Sequence, residues 1–154
     1  MYKMIEIFKV QQDASDVLKR QLAALFERQL HSIATRKAYL QVEQTIEQAL
    51  EPHSRAHFFV VQMDGEAVAF AFFNVALSFE KGGNYIWLNE LYVDESYRNQ
   101  GIAKKLLLRI IYWAEQQKIK GIELETGMNN EATKALYNSL GFYDVVSKRY
   151  SFRF

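Results

Sequence analysis

Along residues 2–10 apolar and charged positions alternate, with Met4, Ile5, Ile7, Phe8 and Val10 set against Lys3, Glu6 and Lys9. A period near two predicts a strand. The period then lengthens. Asp13, Ser15 and Asp16 offer caps for a helix whose apolar side is Val17, Leu22, Leu25, Phe26 and Leu30. A second helix fits Thr35 to Leu50, with Tyr39, Val42, Ile46 and Leu50 facing inward. Pro52, the only proline, ends it. His57 to Met63 returns to strand character, and Asp64-Gly65 is a strong hairpin signal. Its partner, Glu66 to Leu77, is apolar almost throughout apart from Asn74, which predicts a central strand covered on both faces.

A looser turn at Glu80 to Asn84, with Gly82-Gly83, leads into Tyr85 to Val93, an aromatic and β-branched strand. From Asn99 onward Ile102, Leu106, Ile110 and Trp113 fall at helical spacing. Gly121 to Thr126 reads as another strand, a helix follows from Asn130, and Phe142 to Val146 with Lys148 to Phe154 form a closing pair. The order βααβββαβαββ predicts a mixed α/β fold around one central sheet.

Composition narrows the class. A chain of 154 residues, 49% hydrophobic with 9 Tyr and 11 Phe, buries a core and reads as one domain, 1–154. The formal net charge of +1 gives no general nucleic-acid or membrane surface. With no cysteine there is neither a disulfide framework nor a thiolate nucleophile. No apolar run approaches the ~20 residues that span a bilayer, and the N-terminal alternation is a strand pattern, so the expected setting is cytoplasmic. His53 and His57 would share a helix face, but Pro52 and the strand beginning at His57 leave no helix there, and no metal site is expected.

The chemistry concentrates between Asn89 and Leu108. A strand runs through the polar turn Asp94 to Gly101 into a helix, whose first N–H groups have no intrahelical partner. The helix dipole adds partial positive charge at the same place. Gly101 permits close approach to the backbone, Ala103 keeps the next turn slim and Arg98 supplies a cation. These residues describe a pyrophosphate cradle, although Arg-x-x-Gly-x-Ala alone also fits a capped surface helix. A second motif lies downstream, Asn130-Glu-Ala-Thr-Lys-Ala-Leu-Tyr137-Asn-Ser-Leu-Gly141-Phe142.

Together the two motifs resemble the GNAT acetyltransferase superfamily, whose members move an acetyl group from acetyl-CoA to an amine. The family's Arg/Gln-x-x-Gly-x-Gly/Ala loop matches Arg98, Gly101 and Ala103. Its later helix matches Asn130, Tyr137, Gly141 and Phe142. Ala103 in place of the second glycine, and Glu95 where a proline is common, are mild departures. The first eighty residues carry no motif. The resemblance implies a central mixed β-sheet with helices on both faces and acetyl-CoA as cosubstrate. Its pyrophosphate is expected on Arg98, Asn99, Gln100, Gly101, Ile102 and Ala103. Its pantetheine arm is expected beside Leu91, Tyr92 and Val93, in a wedge between that strand and Ile122 to Thr126. Asn130 would bond the arm, although an N-cap role explains that residue equally well.

Acyl transfer further needs an acid, a base and a donor for the carbonyl oxygen. Tyr137 is the candidate acid: Ala132, Ala135, Leu136 and Leu140 cluster on one side of its helix, and Tyr137 points roughly 120° from that stripe. A primary amine with a pKa near ~10 must lose a proton. By resemblance, Glu125, five before Asn130, and Glu90, three before Val93, are the candidate bases, beside a water chain without a dedicated base, and Glu123 shares strand parity with Glu125. A main-chain N–H of Leu91 to Val93 is the oxygen's donor by resemblance. Without a cysteine, and with no Ser-His-acid arrangement visible, direct transfer in a ternary complex is preferred.

Resemblance places acceptor specificity at His31 to Tyr39. Glu90, Asp94 and Glu125 would suit a cationic acceptor, either a small-molecule amine or a protein amino group, for a monomer or homodimer. The competing class is a non-catalytic acyl-CoA binding or sensing module on the same fold, which would have no need of a placed acid at Tyr137.

Overall fold

The structure, a computed structural model, describes residues 4–29, 36–127 and 130–154. Its elements in chain order are β1 Ile5–Lys9, α1 Asp16–Gln29, α2 Arg36–Ala49, β2 Ala56–Met63, β3 Glu66–Ser78, β4 Gly83–Val93, α3 Ile102–Gln116, β5 Ile122–Leu124 and α4 Glu131–Ser139. The five strands form one sheet in sequence order. β1 to β4 pair antiparallel and β5 joins β4 in parallel, so the sheet is mixed as expected.

Strand alternation divides the apolar residues between two layers. Phe59, Val61, Ala69, Ala71, Phe73, Ile86 and Leu88 pack with Ile102, Leu106, Leu107 and Ile110 of α3. Phe58, Val60 and Phe70 pack on the opposite face with Leu22 and Leu25 of α1 and Ile46 of α2. β3 contributes fully buried residues to both layers, which makes it the central strand its apolar run predicted. Burying each such side chain stabilises the fold by roughly 1.5–3 kcal/mol. The β2–β3 turn takes positive φ at Asp64 (52°) and Gly65 (83°), as a two-residue hairpin requires.

Three expectations are corrected. In α1, Ser15 caps the helix by accepting from the Leu18 N–H at 3.1 Å, and the buried face is Leu18, Leu22, Ala23 and Leu25. Val17 is exposed, because the cap fixes a helix phase that turns it outward. β5 is three residues long, shorter than Gly121 to Thr126. Residues 142–154, expected as a closing pair of strands, form no strand, and Tyr143, Val145, Val146, Tyr150, Phe152 and Phe154 are exposed. A strand needs an edge to pair with, and β5 offers three residues. An Arg149–Glu125 ion pair at 2.6 Å ties this segment to the residue after β5. In α2, Ile46 and Leu50 are buried and Val42 partly so; Leu30 and the Tyr39 side chain lie outside what is described.

Candidate active site

A bulge in β4 creates the site. The β3–β4 register shifts between Phe72 and Phe73, whose partners are Glu90 and Leu88, so Asn89 is the extra residue. The shift reverses the faces beyond it. Leu91 and Val93 now join the α3 layer, whereas Tyr92 joins the α1 layer. β5 pairs with β4 only at Ile86, Trp87 and Leu88, so it has parted from β4 by the bulge.

The register also fixes where the main chain points. The Asp94 N–H donates to the Val68 carbonyl at 2.8 Å, which makes Ala69–Val93 a non-hydrogen-bonded pair. The next such pair is Ala71–Leu91. The N–H and C=O groups of Leu91 and Val93 therefore point away from β3, toward the side β5 has left. Their side chains pack while their backbone stays open to an added strand. Tyr92 differs: its main chain faces β3, and its ring centroid lies 6.0 Å from that of Phe70.

The turn after β4 is held from within. Asp94 accepts from the Ser96 N–H at 3.1 Å, capping a short 3-10 turn at Glu95–Tyr97. The Arg98 Nε donates to the Val93 carbonyl at 2.9 Å, and its guanidinium carbon lies 5.6 Å from the Tyr92 ring centroid. The cation is thus fixed beside the open edge, where it already occupies one of the two Val93 groups. Asn99 (φ 63°) and Gly101 (φ 75°, ψ 13°) both take left-handed conformations. Gly101 is the N-cap of α3 and has no side chain to satisfy the first helical N–H groups. A Cβ at Gly101 would meet nothing within 4 Å, so the space before the helix is open and the positive φ is what requires glycine. Ile102 is buried in the core and offers a ligand only its backbone.

The two candidate bases stand in different settings. Glu90 is half-buried, and its Oε2 accepts from the Gln29 Nε2 of α1 at 2.8 Å. Glu125 lies one residue past β5, exposed and paired with Arg149. Glu123 is paired with Lys81 at 2.8 Å. Asp94 is paired with Arg28, the residue before Gln29. Gln29 and Arg28 carried no motif in the sequence; only their place in the last turn of α1 precedes the segment suspected of specificity. Of that segment, residues 31–35 lie outside the described residues.

Tyr137 packs with Leu136 and Leu140 against the α3-side core, while Ala132 and Ala135 are exposed. The expected stripe is therefore corrected: the larger apolar groups set the buried face of α4, and Tyr137 belongs to it. Burial raises the phenol above its ordinary pKa. Its ring centroid is 5.6 Å from that of Phe142, and its carbonyl accepts from the Phe142 N–H at 3.1 Å. Asn130 is the N-cap of α4, with Oδ1 accepting from the Thr133 N–H at 3.2 Å. His57 sits among Phe73 and Trp113, with ring centroids 5.4 and 5.3 Å away. Burial first, then Lys9 and Arg55, lower its pKa to about 4. A cleft of about 460 Å³ between Lys9, Glu51, Ser54 and His57 opens at the opposite end of the sheet, and none of the site residues lines it.

The sequence model of the Acetyltransferase (GNAT) family matches residues 20–142, well over half of the chain. The chain belongs to the GNAT acetyltransferase family. Among curated GNAT-type relatives, it is 31% identical over 100 residues to a spermine/spermidine N(1)-acetyltransferase of Bacillus subtilis, covering 60% of this chain and 65% of that one. It is 32% identical over 91 residues to the ribosomal protein bS18-alanine N-acetyltransferase of Escherichia coli, covering 59% and 57%. These matches span less than two thirds of either relative's length.

Solved structures show the same fold over nearly the whole chain. A possible acetyltransferase from Clostridium difficile superimposes with a TM-score of 0.77 at 22% identity, covering 98% of both chains. An aminoglycoside N-acetyltransferase solved in complex with CoA gives 0.78 at 18% identity, covering 99% and 97%. At these identities the superpositions establish the fold.

Proposed function

We propose that this GNAT chain, taken as one unit over residues 1–154, transfers an acetyl group from acetyl-CoA to a primary amine directly, in a ternary complex and in a cytoplasmic setting. The observation that carries the reading is the open main-chain edge at Leu91 and Val93, which ends eight residues before the uncapped, left-handed Gly101 at the entry into α3. An extended arm terminating in a diphosphate needs that pair of features in that order: strand-like partners, then a cluster of amides. Arg98, Asn99, Gln100, Gly101, Ile102 and Ala103 would hold the diphosphate. Leu91 and Val93 would pair with the arm, while Tyr92 steadies Arg98. Asn130, whose Oδ1 is used in capping, has its amide nitrogen to offer.

Glu90 is the preferred base. It is held against α1 on the same strand as the open edge, whereas Glu125 already neutralises Arg149. In the reaction Glu90 accepts a proton from the ammonium, and the freed amine attacks the thioester carbon. A main-chain N–H of the Leu91–Val93 stretch stabilises the carbonyl oxygen as it gains charge. As the carbon–sulfur bond breaks, Tyr137 donates its proton to the leaving thiolate, and the second proton lost by the attacking nitrogen passes through water to the phenolate; the raised pKa of Tyr137 keeps its proton in place at neutral pH until then. Glu90, held by a neutral amide, favours a cationic acceptor, whereas Asp94 already neutralises Arg28.

Free-thiol release from acetyl-CoA, read together with acetylation of spermidine, an aminoglycoside and a peptide beginning with alanine, tests the proposal. Turnover on at least one amine is expected. Stabilisation by acetyl-CoA without turnover on any of them would point instead to the sensing module, and no heat of binding to CoA in calorimetry would end both readings.

A further inference from the structure

We propose that Gln29 is a positioning residue for the reaction, holding Glu90 by a neutral amide so that the carboxyl can pass between its ionised and protonated forms. The inference rests on the reading of Glu90 as the base.

Two successive residues at the end of α1 reach two acidic residues at the end of β4. Arg28 takes Asp94, and Gln29 takes Glu90. A guanidinium stabilises only the ionised form of its partner and fixes it there. An amide does not carry that bias. Its NH₂ donates to a carboxylate, and after a turn of the amide plane its oxygen accepts from a carboxylic acid. Glu90 thereby keeps a hydrogen-bond partner with or without a proton, as a group that takes up a proton and gives it back requires, whereas the guanidinium on Asp94 can only donate.

The second observation concerns the far side of the same amide. The Gln29 Oε1 is buried and has no hydrogen-bond partner among the described residues. A buried, unpaired carbonyl oxygen destabilises a fold, and a methionine would fill the same volume without that loss. Among the described residues, stability gives a reason for the donor half of this amide and none for its oxygen. An acceptor left free for when Glu90 carries a proton gives that oxygen one. The surroundings of Glu90 reinforce the contrast. β3 presents Phe72 opposite it, α1 presents Gln29 and the Asp94-bound Arg28, and Tyr92 follows on its own strand.

The test measures kcat against pH, the KM for acetyl-CoA and the melting temperature for Gln29→Met, Gln29→Glu and Glu90→Gln, with spermidine, an aminoglycoside and an alanine-leading peptide as acceptors. Gln29→Met loses the donor to Glu90 and relieves the unpaired oxygen, so it is expected to melt close to the parent temperature, keep its KM for acetyl-CoA and lose on the order of tenfold in kcat, as a misplaced base would. Gln29→Glu, nearly isosteric, is expected to move the acid limb of the kcat profile to higher pH, because two adjacent carboxyls do not both ionise readily. Unchanged kcat in Gln29→Met together with an unmoved acid limb in Gln29→Glu overturns the proposal while leaving Glu90 as base if Glu90→Gln is impaired. Full activity in Glu90→Gln removes the base reading itself, and this proposal with it.

Discussion

Along the edge that β5 has left, β4 offers a ligand mostly main chain, and on its α1–α2 face mostly side chains. The first region is built from Leu91, Val93 and the α3 entry, where the side chains are packed away and the amides point outward. The second is built from Glu90 and Asp94, aimed by residues 61 and 66 positions earlier in the chain. A main-chain site depends on local dihedral angles and tolerates many side chains, so long as the angles survive. A side-chain site depends on single atoms at the end of a helix and tolerates almost none. The two halves should therefore fail differently: the α3 side by loss of cofactor affinity, the α1 side by loss of rate at intact affinity.

The largest effect should come from breaking the dihedral on which the first half rests. Gly101 sits at φ 75°, where a β-branched residue is strained, and its missing Cβ faces the open space. Gly101→Val is expected to weaken acetyl-CoA binding by on the order of a hundredfold in calorimetry. That is about 2.7 kcal/mol, a size compatible with strain plus the loss of two amide contacts. Retained affinity would mean that the diphosphate sits elsewhere.

Tyr137→Phe comes next, because it removes a proton donor while leaving the packed ring. A fall in kcat of at least ~10²-fold, with KM for acetyl-CoA within about twofold, is expected. The pH profile sharpens this. An acid works only while protonated, and burial raises the Tyr137 pKa above its usual 10.0. The alkaline limb that belongs to this phenol should therefore lie above pH 10, and it should vanish in the variant. A limb unchanged by the substitution would assign the proton to another group.

The α3 half was readable because its parts lie close together in the chain. Arg98, Gly101 and Ala103 span six positions, and Asn130 to Phe142 one short helix. The hairpin at Asp64-Gly65 and the central place of β3 were readable for the same local reason. The pairing of Gln29 with Glu90 was not, since nothing about a glutamine in the last turn of a helix says what it will meet. Two local readings also failed. Counting apolar residues put Ala132 and Ala135 on the buried face of α4, where size gave that face to Leu136, Tyr137 and Leu140. Phe142 to Val146 and Lys148 to Phe154 read as a closing pair of strands, although a strand is a property of two partners.

The smallest effect, and the one that best separates the halves, belongs to Asn130. Its Oδ1 caps α4 through the Thr133 N–H, and its proposed second duty is to the cofactor arm through the amide nitrogen. Asn130→Asp keeps the capping oxygen and replaces that nitrogen with an acceptor, whereas Asn130→Ala removes both. If Asn130 is only a cap, Ala should lower stability by about 1 kcal/mol, a shift of roughly 2–4 °C in melting temperature for a chain of this size. Asp should then change nothing, and KM for acetyl-CoA should hold in both. If the amide also bonds the arm, Asp keeps the melting temperature but raises KM several-fold, because an acceptor has replaced a donor. Matched KM values for parent and Asp would reduce Asn130 to local structure and leave the arm to Leu91 and Val93 alone, the purest form of a main-chain site.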